Sequence, residues 1–240
     1  MSCYSLNKPA SQTEQLNGFW MVSLTLNEKI PLSEGLTSHF YLKDIPNISL
    51  ALFEHAKDNP STNYQFLTNQ PLPQIALDNS TTLCLESSSN ISLPEASQPL
   101  LILASNLYIA NAFALAKNRS LNHPQSITNV ILSTENLFPF VVKPARYLMD
   151  EMPAEAIGAC TLLEDWKIQN RLASSEGLPG SFGGSLDEIL SEWLAAKQFN
   201  NQNLLEIETW QIIIFAEKEF QKKCLNVIQQ HDWIKHLGTI

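Results

Sequence analysis

The stretch PLLILASNLYIANAFALAKN, residues 99–118, has the pattern of a buried strand that turns directly into a helix. The apolar run from Pro99 to Ala104 is typical of a strand covered on both faces. Apolar side chains then recur at helical spacing between Leu107 and Leu115. Such a turn binds a dinucleotide pyrophosphate when glycines let the phosphate approach the helix N-terminus. The turn at 105–108 has no glycine, so the stretch predicts the fold and leaves nucleotide binding open.

Downstream of this unit, apolar runs alternate with segments of helical periodicity. Ser185, followed three residues later by Glu188, forms a capping box, so a helix is expected to begin there. Strands that alternate with helices predict a parallel sheet covered on both faces. We therefore expect residues 97–240 to form an α/β domain with a five-stranded parallel Rossmann-like sheet. The predicted strands are 99–104, 127–133, 156–160, 171–174 and 209–216, and the predicted helices are about 107–118, 142–149, 161–167, 185–197 and 217–230.

Upstream of the same unit, short β-rich runs are separated by prolines, glycine and polar residues, and no helix is evident. Regularly spaced short strands of this kind are typical of a small barrel or sandwich. Residues 1–96 are therefore expected to form a small antiparallel β-barrel. The polar stretch 87–99 is interpreted as the boundary between the two domains. The predicted strands are 19–26, 38–43, 48–53, 63–67 and 81–86.

Composition and charge exclude several classes of function. The 240 residues carry a net charge of −9, and the basic residues are scattered, which argues against a nucleic-acid partner. No apolar run approaches the roughly 18 to 20 residues that a membrane span needs. The N-terminal residues lack the basic and apolar regions of a secretory signal, so a cytoplasmic location is expected.

The four cysteines, at positions 3, 84, 160 and 224, are far apart and form no CxxC pair. Mostly buried, reduced thiols are therefore expected, with no zinc or dithiol redox site. His231 and His236 are five residues apart, which does not align them on one helical face. We expect no metal ligands in this chain.

The order of a β-barrel and a five-stranded βα domain resembles the ferredoxin–NADP reductase superfamily, and most closely the electron-transfer subunits of dihydroorotate dehydrogenase. Residues 162–194 are similar to the segment of that group in which a strand, a glycine-rich turn and a helix line the nicotinamide-nucleotide side. Residues 31–42 are similar to its barrel stretch, with Gly35 at a family glycine. The resemblance implies an FAD-binding-type barrel at 1–96, an NAD(P)-binding-type domain at 97–240, and FAD as the candidate cofactor. Because the cysteines are dispersed, we expect no iron–sulfur cluster.

The motifs that bind cofactors in this family are degenerate here. Where the family has Arg-x-aromatic-Ser, the matching residues 46–49 keep only Ser49, with Pro46 replacing the cation and Ile48 the ring. The glycine-rich nucleotide turn is replaced by residues 105–111. The family's Cys-Gly-Pro after the last strand is replaced by residues 217–219, which contain two carboxylates. Glu217 and Glu219 either complement the positive end of the dipole of the last helix or serve as a catalytic acid–base pair, and both interpretations stay open.

Five residues are candidates for binding a cofactor, and we assign no catalytic residue. Ser49 and Ser105 follow from the resemblance. Ser174, Gly177 and Gly180 belong to the glycine-rich loop before Ser185, which could hold a ribose or phosphate. The same glycines could equally serve a turn that needs positive φ angles.

Three hypotheses of function follow. We favour a non-catalytic reductase-like protein with eroded cofactor sites, which acts as a scaffold or partner subunit for another protein. The first alternative is a working FAD-dependent NAD(P)H oxidoreductase or electron-transfer subunit that uses unconventional contacts. The second is a binder of another nucleotide or small ligand in the cleft between the domains.

Overall fold

The N-terminal part of the protein is all-antiparallel. The computed structural model describes residues 2–7, 9–54, 62–87, 92–201 and 208–239. Within them, no helix is long and apolar enough to cross a membrane. The elements of this part are β1 (Ser2–Ser5), β2 (Ser11–Glu14), β3 (Trp20–Leu26), α1 (Leu32–Thr37), β4 (Ser38–Leu42), β5 (Ala51–Glu54), β6 (Thr62–Thr68), α2 (Gln74–Asn79) and β7 (Thr82–Ser87).

These strands form two sheets, with the orders β1-β7-β4 and β2-β3-β6-β5. Isolated antiparallel bridges join them at both sides, one between Leu6 and Leu26 and one between Phe40 and Leu50. The two sheets therefore close into a small barrel. Phe40 and Phe66, both buried, pack inside it with ring centroids 5.1 Å apart. The predicted barrel and its five predicted strands are confirmed.

The C-terminal part carries a five-stranded parallel sheet of order β12-β9-β8-β13-β14. In sequence order this is 3-2-1-4-5, so the direction of winding reverses between β8 and β13. The elements are β8 (Leu100–Ser105), α3 (Ile109–Asn122), β9 (Thr128–Thr134), β10 (Val142–Pro144), β11 (Gly158–Cys160), α4 (Thr161–Asp165), β12 (Gln169–Ser174), α5 (Leu186–Asn201), β13 (Trp210–Phe215), α6 (Lys218–Ile228) and β14 (Ile234–Thr239).

Alternating side chains of the central strands pack on opposite faces of the sheet, as the period of a strand requires. Ile102 and Ile213 belong to the core shared with α3 and the barrel. Leu103 and Ile214 belong to a second core with α5 and α6. Helices therefore cover both faces, as predicted.

The barrel and the sheet share one continuous core. Phe53 of β5 packs on Phe113 of α3 with ring centroids 5.2 Å apart, and Glu54 forms an ion pair with Lys117. Arg119 is only 2% exposed, and its guanidinium donates to the carbonyls of Glu95 and Gln98 before β8. This buried cation fixes the chain that enters the sheet.

The polar connection between β7 and β8 contains the predicted domain boundary. Residues 88–91 of the stretch that suggested it lie outside the described residues. We propose 1–96 and 97–240 as the two domains, because the change from antiparallel to parallel pairing falls in this connection.

Three expectations about secondary structure were wrong. The predicted helix at 142–149 is instead β10, which pairs antiparallel with β11, followed by a bend. The buried carboxylate of Glu164 accepts the backbone N–H groups of Arg146 and Tyr147 at 2.6 and 3.2 Å, which holds this bend in a non-helical form. Residues 156–160 therefore lie outside the main sheet, whose fifth strand is the unpredicted β14. The barrel also contains two short helices, α1 and α2.

The expectation for the cysteines was half right. Cys160 and Cys224 are free and buried, and burial raises the pKa of their thiols to about 11 and about 12. Cys3 and Cys84, however, form a disulfide, because they stand directly opposite each other on β1 and β7. Strand register brings together two cysteines that are far apart in sequence.

Candidate functional site

The strands on either side of the reversal end at the same edge of the sheet. Ser105 is the last residue of β8, and Glu217 lies two residues beyond the end of β13. In open α/β sheets, ligands bind in the crevice outside the carboxyl ends of the strands at this switch point. The turn after β8 is therefore a candidate ligand site by its position in the sheet.

At the switch point, a carboxylate of the chain itself occupies the turn. Ser105 Oγ donates to Glu217 Oε2 at 2.7 Å, and Asn106 Nδ2 donates to Glu217 Oε1 at 3.1 Å. Ser105 is buried, so this bond satisfies a hydroxyl that water does not reach. The side chain of Glu217 makes no capping bond to its own helix α6. The carboxylate of Glu217 therefore binds the turn after β8 and does not cap the N-terminus of α6.

Asn106 takes the backbone conformation that a glycine would otherwise supply. Its φ is +50°, in the left-handed region that asparagine tolerates better than most residues. Its side chain also binds Glu135 after β9, accepting from the backbone N–H at 3.1 Å and donating to Oε2 at 3.3 Å. The turn is thus held between two carboxylates without any glycine.

Two cavities meet at this turn and together form what we call the interdomain groove. The barrel-side cavity has a volume of about 280 Å³ and the sheet-side cavity about 420 Å³. They share Asn69, Leu107 and Glu217. The barrel-side cavity is also lined by Ser38, His39, Asn47, Ser49, Leu50, Ala51, Gln70, Tyr108 and Asn111. The sheet-side cavity is also lined by Asn17, Phe19, Asn106, Thr134, Glu135, Asn136 and Leu137.

The walls of the groove are neutral or acidic. Over the described ranges, Glu135 and Glu217 are the charged lining residues, and no lysine or arginine lines either cavity. Burial lowers the pKa of His39, and the charge of Lys218 lowers it further against the opposing effect of Glu86. His39 is therefore neutral near pH 7. The groove offers hydrogen bonds and negative charge, but no cation for a phosphate.

Successive residues of the barrel wall near Ser49 face opposite sides. Ile48 is buried in the barrel core, whereas Asn47 and Ser49 line the groove. The match of Ile48 to the family's aromatic ring stays a prediction. Asn47 is the residue beside Ser49 on the groove wall.

The structure brings Ser49 and Ser105 close to the groove but separates them from the glycine-rich loop. Ser174 ends β12, two strands from β8, or roughly 10 Å away at the usual strand spacing. Gly180 has a φ of +81°, and its carbonyl accepts the N–H of Gly158 at 2.6 Å. Gly177 also has a positive φ, of +67°, and a Cβ added there would meet no atom within 4 Å. Turn geometry thus accounts for both glycines, and their role in binding stays a prediction.

Sequence reasoning missed the polar residues of the barrel-side cavity. Ser38 and Asn111 are 3% and 1% exposed, and among the residues that the structure describes neither Ser38 Oγ nor Asn111 Oδ1 has a hydrogen-bond partner. The one sequence signal was that Asn111 is a polar residue inside the otherwise apolar run of α3. Ser38 gave no such signal, because it begins a strand far away in the chain.

Comparisons with known proteins identify the fold. The ferredoxin reductase in carbazole 1,9a-dioxygenase is 10% identical, with a TM-score of 0.60 over 98% of this chain and 68% of its own. Ferredoxin-NADP+ reductase from Plasmodium falciparum is 11% identical, with a TM-score of 0.57 over 98% and 94%. The flavohem-like FAD/NAD-binding domain of nitric oxide dioxygenase from Vibrio cholerae O1 biovar El Tor is 8% identical, with a TM-score of 0.59 over 99% and 98%.

No family model and no curated protein matches the sequence. The structural likenesses nevertheless extend over almost the whole chain. The protein therefore has the two-domain fold of the ferredoxin–NADP reductase superfamily, as the resemblance implied. The narrower likeness to dihydroorotate dehydrogenase subunits stays a prediction.

Replacing Glu217 with alanine is expected to lower the free energy of unfolding by about 2 kcal/mol, because the buried hydroxyl of Ser105 loses its acceptor. The matched control is Glu219→Ala on the same helix, where the side chain is 79% exposed and forms an ion pair with Lys223. That change should cost no more than about 0.5 kcal/mol. Urea denaturation measures both values. Equal effects of the two substitutions would show that Glu217 does not hold the turn.

Proposed function

We propose that this protein is a non-catalytic member of the reductase-like fold, which has lost FAD and NAD(P) redox chemistry and acts as a partner subunit for another protein. The observation that carries the proposal is the carboxylate of Glu217, bound by Ser105 and Asn106 at the switch point. In a nucleotide-binding sheet, this is the place of the anionic pyrophosphate. Here the chain supplies the anion itself.

The charge of the groove supports the loss of a phosphorylated cofactor. A phosphate charge about 5 Å from a carboxylate is repelled by about 3 kcal/mol at an effective dielectric constant of about 20. That repulsion corresponds to roughly a hundredfold loss of affinity. Within the part of the chain that the structure describes, no lining cation offsets it.

The loss of cofactor is tested by the absorbance spectrum of the freshly purified protein. We expect no flavin bands, and we expect added FAD at micromolar concentration to leave the thermal midpoint unchanged, since a ligand stabilises only what it binds. NADPH should not be oxidised in the presence of FAD. A stoichiometric flavin in the purified protein would overturn the proposal.

The surface around β10 and β11 supports a role with another protein. Four large apolar side chains are exposed there within a short segment: Val141 at 55%, Leu148 at 75%, Ile157 at 61% and Leu162 at 38%. Ile157 and Ala145 are joined by a backbone hydrogen bond, so the two sides of this hairpin are adjacent. Clustered exposed apolar side chains mark interaction sites more often than single ones do. One structural neighbour is, by its name, the ferredoxin reductase in a dioxygenase, which makes a protein partner a natural proposal here.

The partner role is tested by light scattering on the protein isolated from its native cells. We expect a complex larger than one chain, which the double substitution Leu148→Asp with Ile157→Asp disrupts, because buried charges are costly at an apolar interface. The control is Ile75→Asp on α2, which is exposed to a similar degree, at 72%. A single chain at the native concentration, or equal disruption by the control, would contradict this role.

A further inference from the structure

Two residues that line the barrel-side cavity each have a buried polar atom without a partner in the described part of the chain. These atoms are Ser38 Oγ and Asn111 Oδ1. A buried polar group without a partner is destabilising, and each one in a folded protein calls for an explanation. A ligand that hydrogen-bonds to these atoms on binding would provide one.

The fold itself does not require Asn111. This residue lies in the first turn of α3, between Ala110 and Ala112, which are both fully buried. An apolar side chain would satisfy the packing at this position and would favour the helix more. Asparagine here therefore points to recognition rather than to stability.

The remaining wall has the chemistry of a site for a flat, polar, uncharged molecule. Three further side-chain amides line the cavity, from Asn47, Asn69 and Gln70. Each amide offers both a donor and an acceptor, the arrangement that matches the edges of a heterocyclic base. The rings of His39 and Tyr108 meet edge to face in the same wall, with centroids 5.6 Å apart, and offer aromatic surface to a planar ligand.

We propose that the barrel-side cavity binds an unphosphorylated heterocyclic base or its nucleoside. This inference rests on the proposed loss of FAD, which leaves the cavity available. Rotation of the Asn111 and Ser38 side chains, which line the cavity, presents Asn111 Oδ1 to an exocyclic amino group of the base and Ser38 Oγ to a second polar atom of the ligand. Glu217, on the wall shared with the sheet-side cavity, excludes a ligand that carries a phosphate. In this proposal the barrel-side cavity of a partner subunit detects a nucleoside and takes part in no redox reaction.

The experiment is isothermal titration of the full chain with adenosine, cytidine, AMP and CMP. We expect saturable binding of one nucleoside per chain, and binding of the corresponding monophosphate that is about tenfold weaker or more, because of the carboxylate. Absence of saturation with both nucleosides at millimolar concentration would overturn the inference. So would monophosphates that bind as tightly as the nucleosides.

Two substitutions separate binding from folding. Asn111→Leu keeps the branched shape and removes the unpartnered acceptor, so it should raise the thermal midpoint and abolish nucleoside binding. The matched control is Asn129→Leu, which removes another buried Oδ1 without a partner, in a different cavity. That control should keep nucleoside affinity within about twofold, a difference of about 0.4 kcal/mol or less. Loss of binding in both variants, or in neither, would contradict the assignment to the barrel-side cavity.

The two proposals fail in different ways. FAD bound at one per chain would overturn the proposed function, and with it the availability of the cavity. If neither FAD nor a nucleoside binds, the loss of the cofactor stands and only the nucleoside site is wrong. The FAD measurements and the nucleoside titration together therefore distinguish the two failures.

Discussion

The hydrogen bonds from Ser105 and Asn106 to the carboxylate of Glu217 are the constraint on which our proposal depends. They lie where the parallel sheet changes its direction of winding, which is the place where α/β sheets receive ligands. A glycine-rich turn leaves that place open to a phosphate, whereas this turn is completed by a side chain that follows the neighbouring strand. We propose that this internal carboxylate takes the place of a ligand's anion.

The rest of the groove agrees with this constraint. Glu135 adds a second carboxylate to the turn, and Asn47 stands beside Ser49 on the barrel wall. Amides, hydroxyls and two aromatic rings remain, which suit a neutral polar molecule better than a phosphorylated one. The buried Arg119 holds the chain that enters the sheet through hydrogen bonds to the carbonyls of Glu95 and Gln98, which do not line the groove.

The sequence predicted those parts of the fold whose signals are local. The apolar run of β8, the periodicity of α3 and the capping box at Ser185, whose N–H donates to Glu188 at 2.7 Å, were all confirmed. β14 was missed because an edge strand is half exposed and its apolar pattern is weak. The helix expected at 142–149 failed because a distant carboxylate, that of Glu164, binds its backbone. The barrel-side cavity could not be predicted from the sequence either, because Ser38 and Asn111 come together only through tertiary packing.

The affinity of NADPH for the Glu217→Gln variant tests the central claim most directly. Glutamine keeps an acceptor for Ser105 and removes the negative charge from the switch point. Titration followed by NADPH fluorescence should show weak binding to the native chain and a gain of about tenfold or more in the variant. Glu219→Gln, which removes the same charge outside the groove, should show no gain. Equal affinities of the native chain and the Glu217→Gln variant would contradict the claim that this carboxylate holds the place of the phosphate.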